Sequence, residues 1–187
     1  MKIEFKRKGE KQYAVKIWRD KFPNLEMDPA PGFDYLMPHD LCHLIVEQTL
    51  PITNGIFGQI SEGYTAGTFR NSPDESANTR NDSRERRKTK QKSQKIVKEN
   101  LEDLAKSERA TYVCWQNWLE HSDDEKLKFK AAEMKKIAEQ ILSKMSGAER
   151  SIYTEEKLSQ IRDVMSEYSQ KWQNLKIGES IMIDWKV

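Results

Sequence analysis

Histidine and cysteine are scarce in this sequence, with three of the former and two of the latter in 187 residues. Two cysteines cannot build a disulfide framework. Cys42 and Cys114 each fall inside an apolar helical pattern, so both read as buried free thiols of a reducing compartment. Apolar residues reach only 36%, and no run of them approaches the roughly 20 residues a membrane-spanning helix needs. The first residues alternate charge with apolar side chains and contain no hydrophobic signal core. The expectation is therefore a cytoplasmic protein with no membrane partner. Nucleophile chemistry also lacks its parts. Cys42 and His43 are neighbours, and adjacent helical side chains point about 100° apart, so they make no thiol–base pair. The glycines Gly55, Gly58, Gly63 and Gly67 match neither the GxGxxG fingerprint nor a phosphate loop ending in GK[ST].

Charge and aromatic residues are plentiful. Five tryptophans, six tyrosines and six phenylalanines exclude a wholly disordered chain. The net charge of +2 hides an imbalance: nine basic residues between Arg80 and Lys98 face only Asp82 and Glu85. Such a run, centred on Arg84, Arg86, Arg87, Lys88 and Lys90, can supply sequence-independent contacts to nucleic-acid phosphates. It carries no aromatic side chain to stack on a base, and a solvated loop and helix start explains it equally.

Hydrophobic periodicity predicts an α+β domain over residues 1–187. Ile3 and Phe5, then Tyr13, Val15 and Ile17, alternate as two strands of a hairpin turning at Lys8-Gly9-Glu10. A short edge strand is expected around Leu25–Met27 in the proline-rich stretch that follows. Near the end, Ile181, Ile183 and Trp185 form one face of a strand whose natural partner is that hairpin. Residues 1–69 and 177–187 thus make a small antiparallel sheet with a first helix, residues 70–84 a mobile loop, and residues 85–176 a helical insertion. Three long antiparallel helices fill the insertion. The first carries a stripe of Val97, Leu101, Leu104, Tyr112, Trp115 and Leu119. The second is opened by a capping box at Ser122-Asp123-Asp124-Glu125, shows Met134, Ile137, Ile141 and Met145, and ends at Gly147. The third is capped by Thr154 and carries Leu158, Ile161, Met165, Tyr168, Trp172 and Leu175. Heptad-like rhythm in these helices leaves open a pairing with a second copy or with a partner helix.

The first helix carries the chemistry. It opens at Pro38 as its first helical residue, with Leu36 and Leu41 as a hydrophobic staple, and runs to about Leu50. His39 and His43 stand one turn apart on one face, a spacing that lets two imidazoles share a divalent ion such as zinc. Asp40 follows the first histidine where zinc hydrolases place a glutamate, so it is the candidate acid to position a metal-bound water, with a shorter reach. A third ligand is required. Glu47 lies two turns from His39, about 12 Å of rise, which suits it better to orienting His43. His121, Glu102 or Glu108 would serve if folding brings them over the helix. The competing reading is structural: Asp40 complements the helix dipole and the histidines pair with ordinary polar groups.

The segments PHDLCHLIVEQTL and NGIFGQISEGYTAGTF resemble a motif of small uncharacterised bacterial proteins. Those chains carry a Pro-His-Asp-Leu-x-His-x-x-Val-Glu helix followed by a glycine-rich segment with a central aromatic. The closing LKIGESIMIDW is similar to their C-terminal strand. The resemblance covers about a third of the chain and implies an α+β fold with a shared signature at Pro38, His39, Asp40, His43 and Glu47. It brings no activity with it. These residues point to a divalent-metal site on this helix, open to hydrolytic use. The alternative is a non-enzymatic interaction protein using the helical seam or the basic run, its histidines purely structural.

Overall fold

The computed structural model describes residues 1–73 and 101–186. The expected helix start near residue 85 and the basic run Arg80–Lys98 lie outside these residues. Five strands form one antiparallel sheet: β1 (Lys2–Gly9), β2 (Gln12–Trp18), β3 (Leu25–Ala30), β4 (Arg70–Asn71) and β5 (Ser180–Asp184). Their order across the sheet is β4-β3-β2-β1-β5. Among the described residues, six helices accompany them: α1 (His39–Thr49), α2 (Ile56–Ser61), α3 (Leu101–Glu120), α4 (Glu125–Lys144), α5 (Gly147–Arg150) and α6 (Glu155–Asn174).

Alternation of side chains decides which face of the sheet is covered. Ile3, Phe5, Tyr13, Val15, Ile17, Ile181 and Ile183 are buried on one side, while Lys2, Lys6 and Met182 on the other are exposed, as in an antiparallel sheet solvated on one face. The β1–β5 pairing sets Ile3 opposite Ile183 and Phe5 opposite Ile181, which is the partnership the alternation predicts. The hairpin turn sits at Glu10-Lys11, since Gly9 already pairs with Gln12. β3 runs on to Ala30 and is not an edge: β4 pairs with it through Leu25–Asn71 and Glu26–Arg70. Arg70 and Asn71 of the expected loop at 70–84 are thus strand, and residues 74–84 lie outside the described residues.

α1 lies at the centre. Every residue from Leu41 to Val46 is buried, and the helix packs against α2, α3 and α6. Full burial of one Leu, Ile or Val side chain contributes about 1.5–3 kcal/mol, so this segment anchors the core more than its length suggests. The helix begins one residue later than expected. Pro38 is its cap, extended at ψ 141°, His39 is its first helical residue, and the apolar pair bracketing the cap is Met37 and Cys42, both buried.

α3 and α4 pack together as a hairpin of helices, and α6 packs on α1 and α3. Asp124, not Ser122, caps α4, accepting from the Lys126 amide at 2.8 Å, while Ser122 accepts from Asp124. The buried seam of α4 uses Ala131 and Ala138, and Ile137 is half exposed, because small side chains let two helices approach closely. α4 ends at Lys144, before Gly147, which instead opens α5 under a Ser146 cap. Thr154 caps α6 as its sequence predicts, and Ile161, Met165 and Trp172 are buried along it. No helix among the described residues is long and apolar enough to cross a membrane.

Candidate metal centre

One turn of α1 separates His39 from His43, and their Nε2 atoms lie 3.1 Å apart. The rings stand edge to face, with centroids 4.6 Å apart. Glu108 reaches in from α3, its Oε2 at 3.4 Å from His43 Nε2 and 3.7 Å from His39 Nε2. A circle through three atoms so spaced has a radius of about 2.0 Å, the length of a zinc–nitrogen or zinc–oxygen bond. Among the described residues these three form the one group of histidine, cysteine or acidic side chains whose ligand atoms converge within 4.8 Å. Two imidazole nitrogens this close repel one another through their lone pairs. A proton on His39 or a cation at the common centre relieves that repulsion.

Behind the histidines lies a buried polar relay. His43 Nδ1 is 2.9 Å from Ser107 Oγ and 3.1 Å from Thr111 Oγ1. Ser107 in turn donates to Glu47 Oε1 at 2.6 Å. A hydroxyl has a single proton to give, so with that proton on Glu47 the Ser107 oxygen must accept from His43. With Thr111 also accepting, this arrangement favours the His43 proton on Nδ1 and turns Nε2 toward Glu108 and His39. Metal-ligating histidines are oriented in the same way, by an acceptor on the far nitrogen.

Glu47 is held from its other side by the glycine-rich segment. Its two oxygens accept from the backbone amides of Ile56 at 2.7 Å, Phe57 at 2.9 Å and Gly58 at 3.4 Å. A Cβ on Gly55 would fall 2.3 Å from Glu47 Oε1, so this glycine makes room for the carboxylate. Burial pushes the pKa of Glu47 up, with the Ser107 and amide donors pulling against it. Glu47 thus orients His43 through Ser107 and is not itself a ligand.

Asp40 serves elsewhere. Its carboxyl is hydrogen-bonded by the Tyr13 hydroxyl of β2, which also bonds the Pro31 carbonyl. One phenolic proton cannot serve both acceptors, and burial raises the pKa of Asp40. The Tyr13 hydroxyl, donating to Asp40, pulls against that rise. Asp40 therefore ties the helix start to the sheet and does not meet the centre formed by the ligand atoms. His121 sits at the far end of α3, with Nδ1 2.8 Å from the Asn117 carbonyl, and Glu102 pairs with Arg109 at 2.8 Å. Neither reaches the centre.

Electrostatics agree with the geometry. The hydrogen bond to Glu108 raises the pKa of His39 against the opposing effect of burial. The hydrogen bond from protonated His39 holds Glu108 well below the usual carboxylate range. The His39 and Glu108 side chains are 52% and 59% exposed, so the centre is open to solvent. A cavity of about 300 Å³ is lined by His39, Glu108 and Thr111 together with Phe33, Tyr112 and Trp115.

No family model matches this chain, and no curated protein or solved structure does either. The functional reading rests on the chemistry of the site. Three converging donor atoms open to solvent could hold an ion and leave it a free position. Glu108 is one of the acids the sequence offers as a third donor, whereas Ser107 and Thr111 escaped the hydropathy pattern because the buried face of α3 is polar where it meets α1.

Proposed function

We propose that this protein binds a divalent transition metal, zinc foremost, through His39 Nε2, His43 Nε2 and Glu108 Oε2. The observation that carries the reading is the common point about 2.0 Å from all three donor atoms, set by separations of 3.1, 3.4 and 3.7 Å. Two imidazoles and a carboxylate suit zinc, and also the iron or manganese of facial-triad sites. Three ligands plus an open position is the composition of catalytic rather than structural zinc sites. An ion held here would act as a Lewis acid on an oxygen entering from the cavity. With Asp40 tied to Tyr13, Asp40 is not the water-positioning acid of the hydrolytic version, so that version would rely on the metal's own lowering of the water pKa.

The shared motif of the resembling bacterial chains then has a role at each position. Pro38 caps the helix, His39 and His43 bind the ion, Asp40 docks on the sheet, and Glu47 holds the glycine-rich turn and the far side of His43. The test is metal analysis of tag-free protein after exposure to zinc, manganese and iron, beside His39→Ala/His43→Ala and Glu108→Gln variants. One ion per chain is expected in the wild type and far less in both variants. Equal and negligible metal in all three would overturn the proposal.

A further inference from the structure

The cavity beside the ligand triad is divided in character. His39 and Glu108 stand at one end, and the walls are Phe33, Met37, Tyr112, Trp115 and Met134. On α3, Glu108, Tyr112 and Trp115 lie at i, i+4 and i+7, one stripe of the helix, so the ligand carboxylate and two aromatic rings face the same space. The remaining charged group, Asp34, is already satisfied. It accepts from the Leu36 amide at 2.8 Å and pairs with Lys130 at 3.2 Å, and the Lys130 ammonium also lies 5.6 Å from the centre of the Trp115 ring. The loop bearing Phe33 and Asp34 is held close to the first histidine by Gly32. That residue has φ +74°, and a Cβ there would come 2.9 Å from His39 Cβ. Its carbonyl accepts from the His39 amide at 3.1 Å.

We infer that the site takes a small amphipathic molecule whose anionic oxygen head completes the metal's coordination and whose aromatic or other flat apolar body lies between Trp115, Tyr112 and Phe33. This deepens the metal-binding reading and rests on it. A divalent ion with one carboxylate and two neutral imidazoles keeps a net charge of +1, which favours an anionic head. At about 300 Å³ the cavity is at the lower bound of small-molecule sites. It holds a ring with a few substituents. With no free charge on its walls, the rest of the ligand gains mainly by burying apolar surface.

Zinc-loaded protein titrated with benzohydroxamate and with acetohydroxamate, which share a chelating head and differ in the ring, tests this by calorimetry and tryptophan fluorescence. Benzohydroxamate is expected to bind at least ten-fold more tightly and to quench tryptophan emission. Trp115→Ala and the cavity-filling Met134→Trp should keep their zinc and lose most of that ratio, with circular dichroism confirming the fold of each. Zinc uptake with equal affinity for the two probes, or a ratio unchanged in both variants, overturns the inference and leaves metal binding standing. Failure to take up zinc overturns both.

Discussion

Replacing Glu47 by glutamine should weaken metal binding from a distance, without touching a ligand. The carboxylate accepts from four donors: Ile56, Phe57 and Gly58 amides and the Ser107 hydroxyl. Glutamine offers one oxygen and one NH2 group. If the oxygen faces Phe57 and Gly58, the NH2 group confronts the Ile56 amide, which is left without an acceptor, and the Ser107 oxygen. Ser107 then accepts from the amide and turns its own proton toward His43 Nδ1. That forces the His43 proton onto Nε2, where it occupies the lone pair a metal needs. A buried amide without a partner costs about 1–3 kcal/mol, and loss of an outer hydrogen bond to a ligating histidine typically costs 10–100-fold in metal affinity. Chelator competition would measure the zinc affinity, urea unfolding the stability, and nitrogen-15 long-range correlation spectra the His43 tautomer. The expected spectrum shows an Nδ1–H tautomer in the wild type and Nε2–H in Glu47→Gln. An unchanged tautomer with zinc affinity within two-fold of wild type would refute the relay, whatever happened to stability.

Asp40→Asn should leave zinc content unchanged and shift stability by no more than about 1 kcal/mol, since the asparagine oxygen can still accept from the Tyr13 hydroxyl; loss of metal on this substitution would return Asp40 to the centre. Gly55→Ala should destabilise by about 2 kcal/mol or more in urea unfolding, because its Cβ would sit 2.3 Å from Glu47 Oε1 and overpacking of a buried site costs about 1–3 kcal/mol; a stabilised variant would show that the carboxylate moves freely. Stability of the protein in excess chelator should depend on pH through His39 and Glu108. The raised pKa of His39 contributes stability in full below its ordinary 6.5, lost as pH rises through the elevated folded value. The depressed pKa of Glu108 contributes above its ordinary 4.5, lost as pH falls through the folded value. Urea midpoints from pH 3 to 8 should therefore be highest between those limits relative to Glu108→Gln. Zinc affinity should rise with pH across the upper limit as the His39 proton is lost. Parallel curves for the two proteins would contradict the pairing.

The strands were legible in the sequence because their burial is one-sided. Ile3, Phe5, Val15, Ile17, Ile181 and Ile183 alternate with charged or exposed neighbours, and a period of two admits few other structures. α1 was legible for a different reason: two histidines at helical spacing after a proline mark both a helix start and a chemical face. β4 was not, since Arg70 and Asn71 are exposed and join the sheet through the backbone of β3 alone. Nor could hydropathy choose between Ile137 and Ala138 on α4, where the smaller residue is buried.

The hardest part to read was α3, and its difficulty has a single physical cause. The face it buries runs through Ser107, Ala110, Thr111, Cys114 and Trp118, a helical stripe whose two hydroxyl residues meet His43. Hydropathy rejects serine and threonine as core, so the apparent stripe rotates by one residue to Leu104, Tyr112, Trp115 and Leu119. Leu104, Tyr112 and Trp115 are only partly buried, and Tyr112 and Trp115 line the cavity beside Glu108. Two adjacent stripes of one helix thus divide the labour: the polar one hydrogen-bonds His43, and the aromatic one walls the cavity beside Glu108. A long amphipathic helix whose larger side chains stay half exposed while small hydroxyls are buried does not maximise apolar burial. Buried hydroxyls cost stability unless each finds a partner, and here Ser107 and Thr111 find theirs in His43. That is the physical ground for assigning this end of α3 to a site rather than to the core.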